Sequence, residues 1–525
     1  MLDRRFLAPH ALAEWARATP SAVALEHVNG AKLTYEALYT DSLRWAAALQ
    51  RAGVTAGTHC ASLLPNDFPA HRTMLGLAWL QAIEVPLNIA YRGRMLEYAL
   101  DRAEVTCLVT TYAGWSTVGE VAERLPKLQT VVLVDDATVD DPVCETIPIA
   151  ELLADTEPAT DLAGPDAGDI ACILFTSGTT GPSKAVVCPW GLVYQMTSWM
   201  PDDTLAPGDG FFSALPLFHN SGRSGFNYAL VHGARFVFRD KFSATNFWDD
   251  TRATNCTTAA LVGPMTSVLF HAPARPDDHD NPLESVILGP MIPDMEEFER
   301  RFGVRVCTCY GQTEIGAPLA SDWDHGPWES CGRVRTDYPF PEVRLVNEHD
   351  EPVAVGEVGE LLVRVGDPTG FNADYFGMPD ETAAAWRDGW FHTGDAFRVN
   401  DDGHFYFVDR MKDTIRRRGE NISSFEVESM VLEHPHVVEC AAVAIATEHG
   451  DDEVMAAVIV DDQDAFDPPE LIEFLTPRMP RFMIPRYIEV FDDLPRNETT
   501  GRVRKTELRT RGVSERTWDR EALAS

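Results

Sequence analysis

Residues 170–187, IACILFTSGTTGPSKAVV, set small hydroxyl residues, glycines and one lysine between two apolar stretches. The loop is Thr176, Ser177, Gly178, Thr179, Thr180 and Gly181, and Lys184 follows it. Glycines supply positive φ and let backbone approach a ligand closely. Successive N–H groups and hydroxyls in such a loop make a nest for phosphate oxygens. Lys184 adds positive charge. A Walker A loop would need lysine directly after the last glycine and a helix directly after the loop. Here Lys184 follows Ser183, and a β-like run, AVVC, comes next. A bare Gly/Ser/Thr loop is most simply a hairpin connection, but the whole string from Thr176 to Lys184 points to phosphate.

Other polar residues carry less weight when read singly. Asp395 follows Gly394 as a turn aspartate would, and Tyr310 stands at a strand end where packing is the ordinary role. His219, in LPLFHNSG, borders an apolar stretch as structural histidines do. Arg416, Arg417 and Arg418 form a cationic run that reads as a solvated surface. The ten cysteines contain no CxxC pair. Cys307 and Cys309 share one face of a strand. Zinc and a disulfide framework are disfavoured, and reduced, mostly buried thiols of a cytoplasmic protein are expected.

The elements that must position these residues alternate in type. Up to about residue 170, ALAEWARA and SLRWAAALQRAG have helical periodicity, the second closing on Gly53. HCASLLP, CLVTT and TVVLVDD read as short buried strands. MLGLAWLQAIEVPL reads as a buried helix running into a strand. This βα alternation predicts parallel or mixed sheets flanked by helices. After residue 330 the period becomes two. EVRLVNEHDEPVAVGEVGELLVRV is a β-meander, and RVNDDGHFYFVDR a hairpin turning at Asp401 to Gly403. Then Ser423 precedes a helix, with Glu426 at the capping-box position. ECAAVAIA and EVMAAVIV read as strands, PELIEFLTPRM as a helix, and YIEVF as a strand. The fold class is therefore α/β: a large N-terminal region, 1–409, of mixed sheets, helices and β-meander, then a small α+β module, 410–525.

The chain has 525 residues, 45% hydrophobic and 24% charged, enough apolar material for a large core. Its 44 basic and 81 acidic residues give a net charge of −37. That field repels nucleic acid and anionic membranes. It does not forbid an anionic ligand at a locally cationic loop. No apolar run is long enough to span a membrane, and the first twenty residues lack a signal-peptide core.

At the loop of residues 176–184 the chain resembles the adenylate-forming superfamily of acyl-CoA synthetases, luciferases and adenylation domains. Further motifs come in the family's order: LPLFHNSG, VILGPMIP, CYGQTEIG, GELLVR, GWFHTGD, DRMKDTIRRRGENIS and LPRNETTGRVRKTELR. Seven in order are far more specific than any one. The GENIS loop and FERRFGVRVCTCYGQTE look closest to the crotonobetaine/carnitine–CoA ligase branch.

The resemblance implies ATP-dependent ligation of a carboxylic acid to coenzyme A through acyl-AMP. Thr176 to Lys184 would wrap the β- and γ-phosphates. Thr313 would meet the α-phosphate, and Glu314, with Thr176, would hold Mg²⁺. Tyr310 would lie against adenine, opposite Gly289, Pro290 and Met291, and Gly311 and Gln312 would complete that wall. Asp395 and Arg410 would take the ribose hydroxyls. His219 would border the acyl pocket, positioning the substrate. The pocket would draw on 219–232, 261–267 and 314–319, with Arg223, Phe226, Tyr228, Met265 and Pro318 among its residues. Lys412 would be the hinge, and Gly419 and Glu420 would approach the thiol. Cations of 416–418 could meet phosphates of coenzyme A.

Two positions depart from the family. Arg502 follows Gly501 where the family has the lysine that bridges carboxylate and α-phosphate; Lys505 is the other cation nearby. Pro290 removes an N–H donor from the adenine loop. The alternatives are an enzyme that loads a carrier-protein thiol and a catalytically weakened nucleotide-binding homologue. A homodimer is compatible with the sequence.

Overall fold

The computed structural model describes all residues except 1, 136, 138, 140–142, 177–182, 290, 293, 348, 411–413, 419, 448–450, 464–465, 496–502, 504 and 523–525. Ser177, Gly178, Thr179, Thr180, Gly181, Pro290, Lys412, Gly419 and Arg502 thus lie outside the described residues. Two compact units are present. The first comprises Met1–Ile89, Leu100–Leu174 and Ala185–Asp409; the second, Ala90–Ala99, Phe175–Lys184 and Arg410–Ser525. Residues 90–99 and 175–184, which the sequence reading left in the N-terminal region, group with the second unit.

The first unit is built on two large sheets. One has nine described strands in the order Arg333–Val334, Gly316–Ala320, Arg305–Gln312, Ser285–Gly289, Thr258–Val262, Gly210–Ser213, Arg235–Phe238, Val23–His27, Lys32–Thr34. Neighbours from Arg305–Gln312 through Val23–His27 are all parallel. The other runs Glu145–Pro148, Thr130–Leu133, Cys107–Thr110, His59–Leu63, Ile83–Pro86, Ile170–Thr176, Lys184–Pro189. Parallel strands need crossovers, and the helical patterns between them supply these. The expected meander is an antiparallel sheet in which Pro341–Val346 pairs Gly359–Val365, which pairs Trp390–Val399. Phe405–Arg410 joins it as the hairpin partner of Trp390–Val399.

Local chemistry explains most boundaries. The helix Tyr35–Arg51 begins earlier than SLRWAAALQRAG, because the Thr34 hydroxyl accepts from Ala37 N at 3.1 Å and caps it. It buries Leu38, Trp45, Ala46 and Leu49 in the main core, with helices Ala8–Ala18 and Phe68–Trp79. All ten cysteines are free thiols, and eight are buried. Among the described residues no helix is long and apolar enough to cross a membrane.

In the second unit, Val437–Ala446, Asp452–Val460, Tyr487–Val490 and Trp518–Asp519 form one sheet, and Thr414–Arg417 pairs Glu420–Ser423. The helix Pro468–Leu475 ends sooner than PELIEFLTPRM. Pro477 has no N–H to continue the ladder, although Thr476 itself keeps α conformation, at φ −53° and ψ −43°.

Candidate active site

In open α/β sheets, ligands sit beyond the carboxyl ends of parallel strands. Three motif loops and the helix Gly263–His271 leave such ends in the nine-stranded sheet. The strand Gly210–Ser213 leads to LPLFHNSG, Thr258–Val262 to 263–267, Ser285–Gly289 to the adenine loop, and Arg305–Gln312 to the Thr313–Glu314 turn. Leu288 pairs Thr308 in parallel register, so Gly289 and Tyr310 emerge from neighbouring strands at the same end. A Cβ at Gly289 would meet only Cys309 O, at 3.8 Å.

Tyr310, Gln312 and Asp395 come together there. The Tyr310 hydroxyl donates to Asp395 Oδ2 at 2.7 Å. Gln312 Nε2 donates to the same oxygen at 2.8 Å and to Thr393 O at 3.0 Å. Asp395 is buried, and its N–H donates to the Thr393 hydroxyl at 3.1 Å. Gly394, at φ 70°, makes the bend, and its N–H donates to Glu360 Oε1 at 3.0 Å. The Phe397 ring stands edge-on to Tyr310 with centroids 4.7 Å apart. The turn aspartate of GWFHTGD is thus aimed by two side chains of YGQTE.

The Glu314 turn is held as firmly. Gln195 Nε2 donates to Ile315 O at 3.2 Å, and its Oε1 accepts from Ala317 N at 2.9 Å. Gly316 has φ 61°, and a Cβ there would lie 1.3 Å from Gln195 Oε1. A Cβ at Gly311 would lie 2.2 Å from Gly316 O. Buried Arg335 donates to Gln195 O at 3.0 Å and Ala317 O at 3.2 Å. Glu314 is itself buried; Asn372 N donates to its carbonyl at 2.9 Å and the Tyr375 hydroxyl to its Oε1 at 2.9 Å. Burial, and then the Glu314 charge, push the Tyr375 phenol up, so it stays a donor. Two acceptors here lack a protein partner among the described residues: the second oxygen of Glu314 and the buried Oδ1 of Asn372. No Lys or Arg among the described residues pairs with Glu314. A buried carboxylate without a cation is costly. These oxygens therefore fit a hard divalent cation.

His219 caps the helix Asn220–His232 and is exposed. Its Nδ1 accepts from Ser221 N at 3.2 Å and lies 2.7 Å from the Ser221 hydroxyl, which leaves Nε2 to carry the proton of the neutral ring. Arg223 is not the pocket residue the sequence suggested. It is buried, pairs with Glu84 at 2.5 Å and donates to Leu217 O at 2.8 Å; Ser62 donates to the other Glu84 oxygen.... Phe226 packs edge-on against His71 and Phe236, and Tyr228 and Pro318 are also buried. Met265 packs partly buried against the core.

Within the second unit, Thr176 closes one strand and Lys184 opens the next. Glu426 accepts from Ser183 N at 3.0 Å and from the Ser183 hydroxyl. Glu420 opens the strand Glu420–Ser423, and burial pushes its carboxyl up to about 7. Arg410 ends the strand Phe405–Arg410. Arg417 corrects the reading of 416–418 as a solvated run. It is fully buried, pairs with Glu453 at 2.5 Å and donates to Phe482 O and Ile484 O, each at 2.9 Å. Only Arg416 and Arg418 are exposed. Lys505 is also engaged, donating to the Ser424 hydroxyl at 2.8 Å and pairing with Glu428 at 2.6 Å.

Residues 12–367 match the family model for AMP-binding enzymes. The chain belongs to the AMP-binding enzyme family. Residues 426–500 of this AMP-binding enzyme match the model for the family's C-terminal domain. Over 489 residues it is 29% identical to a crotonobetaine/carnitine–CoA ligase of Salmonella typhimurium, covering 91% of this chain and 93% of that protein. Its fold is that of o-succinylbenzoate CoA synthetase from Bacillus subtilis, at TM-score 0.82 and 23% identity, covering 96% and 98% of the two chains. An amide bond synthetase from Marinactinospora thermotolerans also superposes at TM-score 0.82, with 23% identity and 96% and 99% coverage. Tyr375, Gln195 and Arg335 are the site-building residues that sequence reading missed. None stands in a loop whose composition signals a ligand, and each acts through a partner distant in sequence.

Proposed function

We propose that the Tyr310–Gln312–Asp395 cluster and the Glu314 turn carry the ATP half of an acid–thiol ligation, giving acyl-CoA, AMP and pyrophosphate. The observation that carries this reading is the convergence of the motif loops at one end of the nine-stranded sheet, with Asp395 and Glu314 both oriented by neutral donors. Asp395 accepts hydrogen bonds from the ribose hydroxyls, a role that suits a fixed carboxylate. The Tyr310 ring covers adenine on one side and the Gly289 end of its strand bounds the other. Residues 176–184 bind the distal phosphates. Glu314 would hold Mg²⁺, with Thr176 and Asn372 as further oxygen donors; the metal would supply charge neutralisation at the phosphates.

A carboxylate oxygen of the acid attacks the α-phosphorus, and the bond to the β-phosphate oxygen breaks, releasing pyrophosphate. The acid is ionised at pH 7, so no base is needed. The residues contribute orientation and charge placement. Then the coenzyme A thiolate attacks the acyl carbon, the acyl–phosphate oxygen bond breaks, and AMP leaves. The second unit serves as the lid, pivoting at Lys412.

The test is AMP release across a panel of acids that includes crotonobetaine and carnitine, with coenzyme A or a phosphopantetheinylated carrier protein as acceptor. An acid that releases AMP only with coenzyme A supports the reading. Release only with the carrier assigns the other thiol. Absence of both AMP release and pyrophosphate exchange with every acid would leave a nucleotide-binding protein.

A further inference from the structure

We infer that Tyr375 is the positioning residue for Glu314, fixing the carboxylate through its hydroxyl and tying it to the strand that follows the phosphate loop. This rests on the reading of Glu314 as a metal ligand. Tyr375 is 2% exposed and donates to Glu314 Oε1 at 2.9 Å. Its ring belongs to the main apolar core, a role that Phe would fill as well. Packing therefore accounts for the ring and leaves the hydroxyl unexplained.

The backbone around it is pinned on three sides. Tyr375 N donates to the Thr382 hydroxyl at 3.0 Å. Val187 N donates to Asp374 O at 3.0 Å, Ala373 N to Val187 O at 2.9 Å, and Phe376 N to Ala185 O at 2.8 Å. Asn372 N donates to Glu314 O at 2.9 Å. The segment 372–376 is thus laced to Ala185 and Val187 on one side and to Glu314 on the other. The donor's chemistry matters as much as its place. A lysine or arginine at this position would orient Glu314 but cancel its charge and compete with a cation. A phenol orients one oxygen, leaves the charge intact, and leaves the second oxygen to a ligand.

Calorimetric binding of ATP, with Mn²⁺ or with EDTA and no acid present, tests this. Unaltered protein should bind ATP more tightly with the metal. Glu314→Gln should lose that gain. Tyr375→Phe should lose at least tenfold of it while binding metal-free ATP normally, and Glu314→Gln/Tyr375→Phe should lose no more than Glu314→Gln alone. If Glu314→Gln loses the gain and Tyr375→Phe keeps it, Tyr375 does not position Glu314. If Glu314→Gln keeps it, the metal reading fails and the Tyr375 role with it. Additive losses in the double variant also overturn the proposal. Should Tyr375→Phe not fold, folding of the double variant supports the role, because no charge is then left unsupported. Failure of both makes Tyr375 a packing residue only.

Discussion

Lys505 shows how a residue's neighbours decide its availability. Its Nζ is shared between Ser424 and Glu428 within the second unit. A cation so engaged must break both contacts to reach a substrate, at about 1–3 kcal/mol for charged hydrogen bonds. We propose Arg502, which lies outside the described residues, rather than Lys505 as the cation of the first half-reaction. Its planar fork keeps the charge and can grip phosphate or carboxylate. Arg502→Ala should slow acyl-AMP formation at least a hundredfold and spare transfer from pre-formed acyl-AMP. Lys505→Ala should lower the unfolding midpoint and leave adenylation within a few fold. Stopped assays of the two half-reactions measure both. Slow adenylation in Lys505→Ala alone would reverse the assignment.

At the scale of elements, the hairpin joining Arg305–Gln312 to Gly316–Ala320 is what aims Glu314. Its register shifts between Tyr310 and Gln312, and it turns back at Gly316. Gly316 is required twice, for its φ and for the closeness of Gln195. Gly316→Ala should displace Gln195, break its bonds to Ile315 and Ala317, and cost on the order of 3 kcal/mol locally. Pyrophosphate exchange should drop more than tenfold. Gln195→Gly in the same chain relieves the clash, and part of the activity should return. No recovery would mean that relieving the clash is insufficient, and that φ at Gly316 or the lost Gln195 bonds decide the activity.

For the whole molecule, the two units have separate cores. If the second rotates about Lys412, Lys412→Pro should fix φ there and uncouple the half-reactions. One should persist while the other collapses in single-turnover assays; equal slowing of both places the pivot elsewhere. The first unit's core also carries a titration. His71 is fully buried against Phe226, Phe236 and Phe238, and burial lowers it to about 4, with Arg72 and Arg223 adding to the effect. The native state then binds fewer protons than the unfolded chain between about pH 6.5 and 4. Stability must fall as pH drops through that window, by roughly 3 kcal/mol at most. His71→Phe should flatten this part of the urea-midpoint profile relative to unaltered protein. Parallel profiles would show that His71 titrates normally.

What the sequence determined by itself was local. The glycine and hydroxyl spacing at 176–181, the YGQTE and HTGD strings and the change from helical period to period two are each legible in a short stretch of chain, because turn geometry and side-chain periodicity are short-range properties. They sufficed for the fold class and the family. Only the tertiary structure decided which polar side chains satisfy the interior. Arg223 looked like a pocket cation, yet Glu84 lies 139 residues before it and neutralises it. Arg417 looked solvated, yet the strand pairing that follows buries it against Glu453. Tyr375 looked like nothing in particular, and Glu314 stands 61 residues away. A buried charge or hydroxyl must find its partner wherever packing brings one, and that choice is made by sheets closing on each other, not by spacing along the chain.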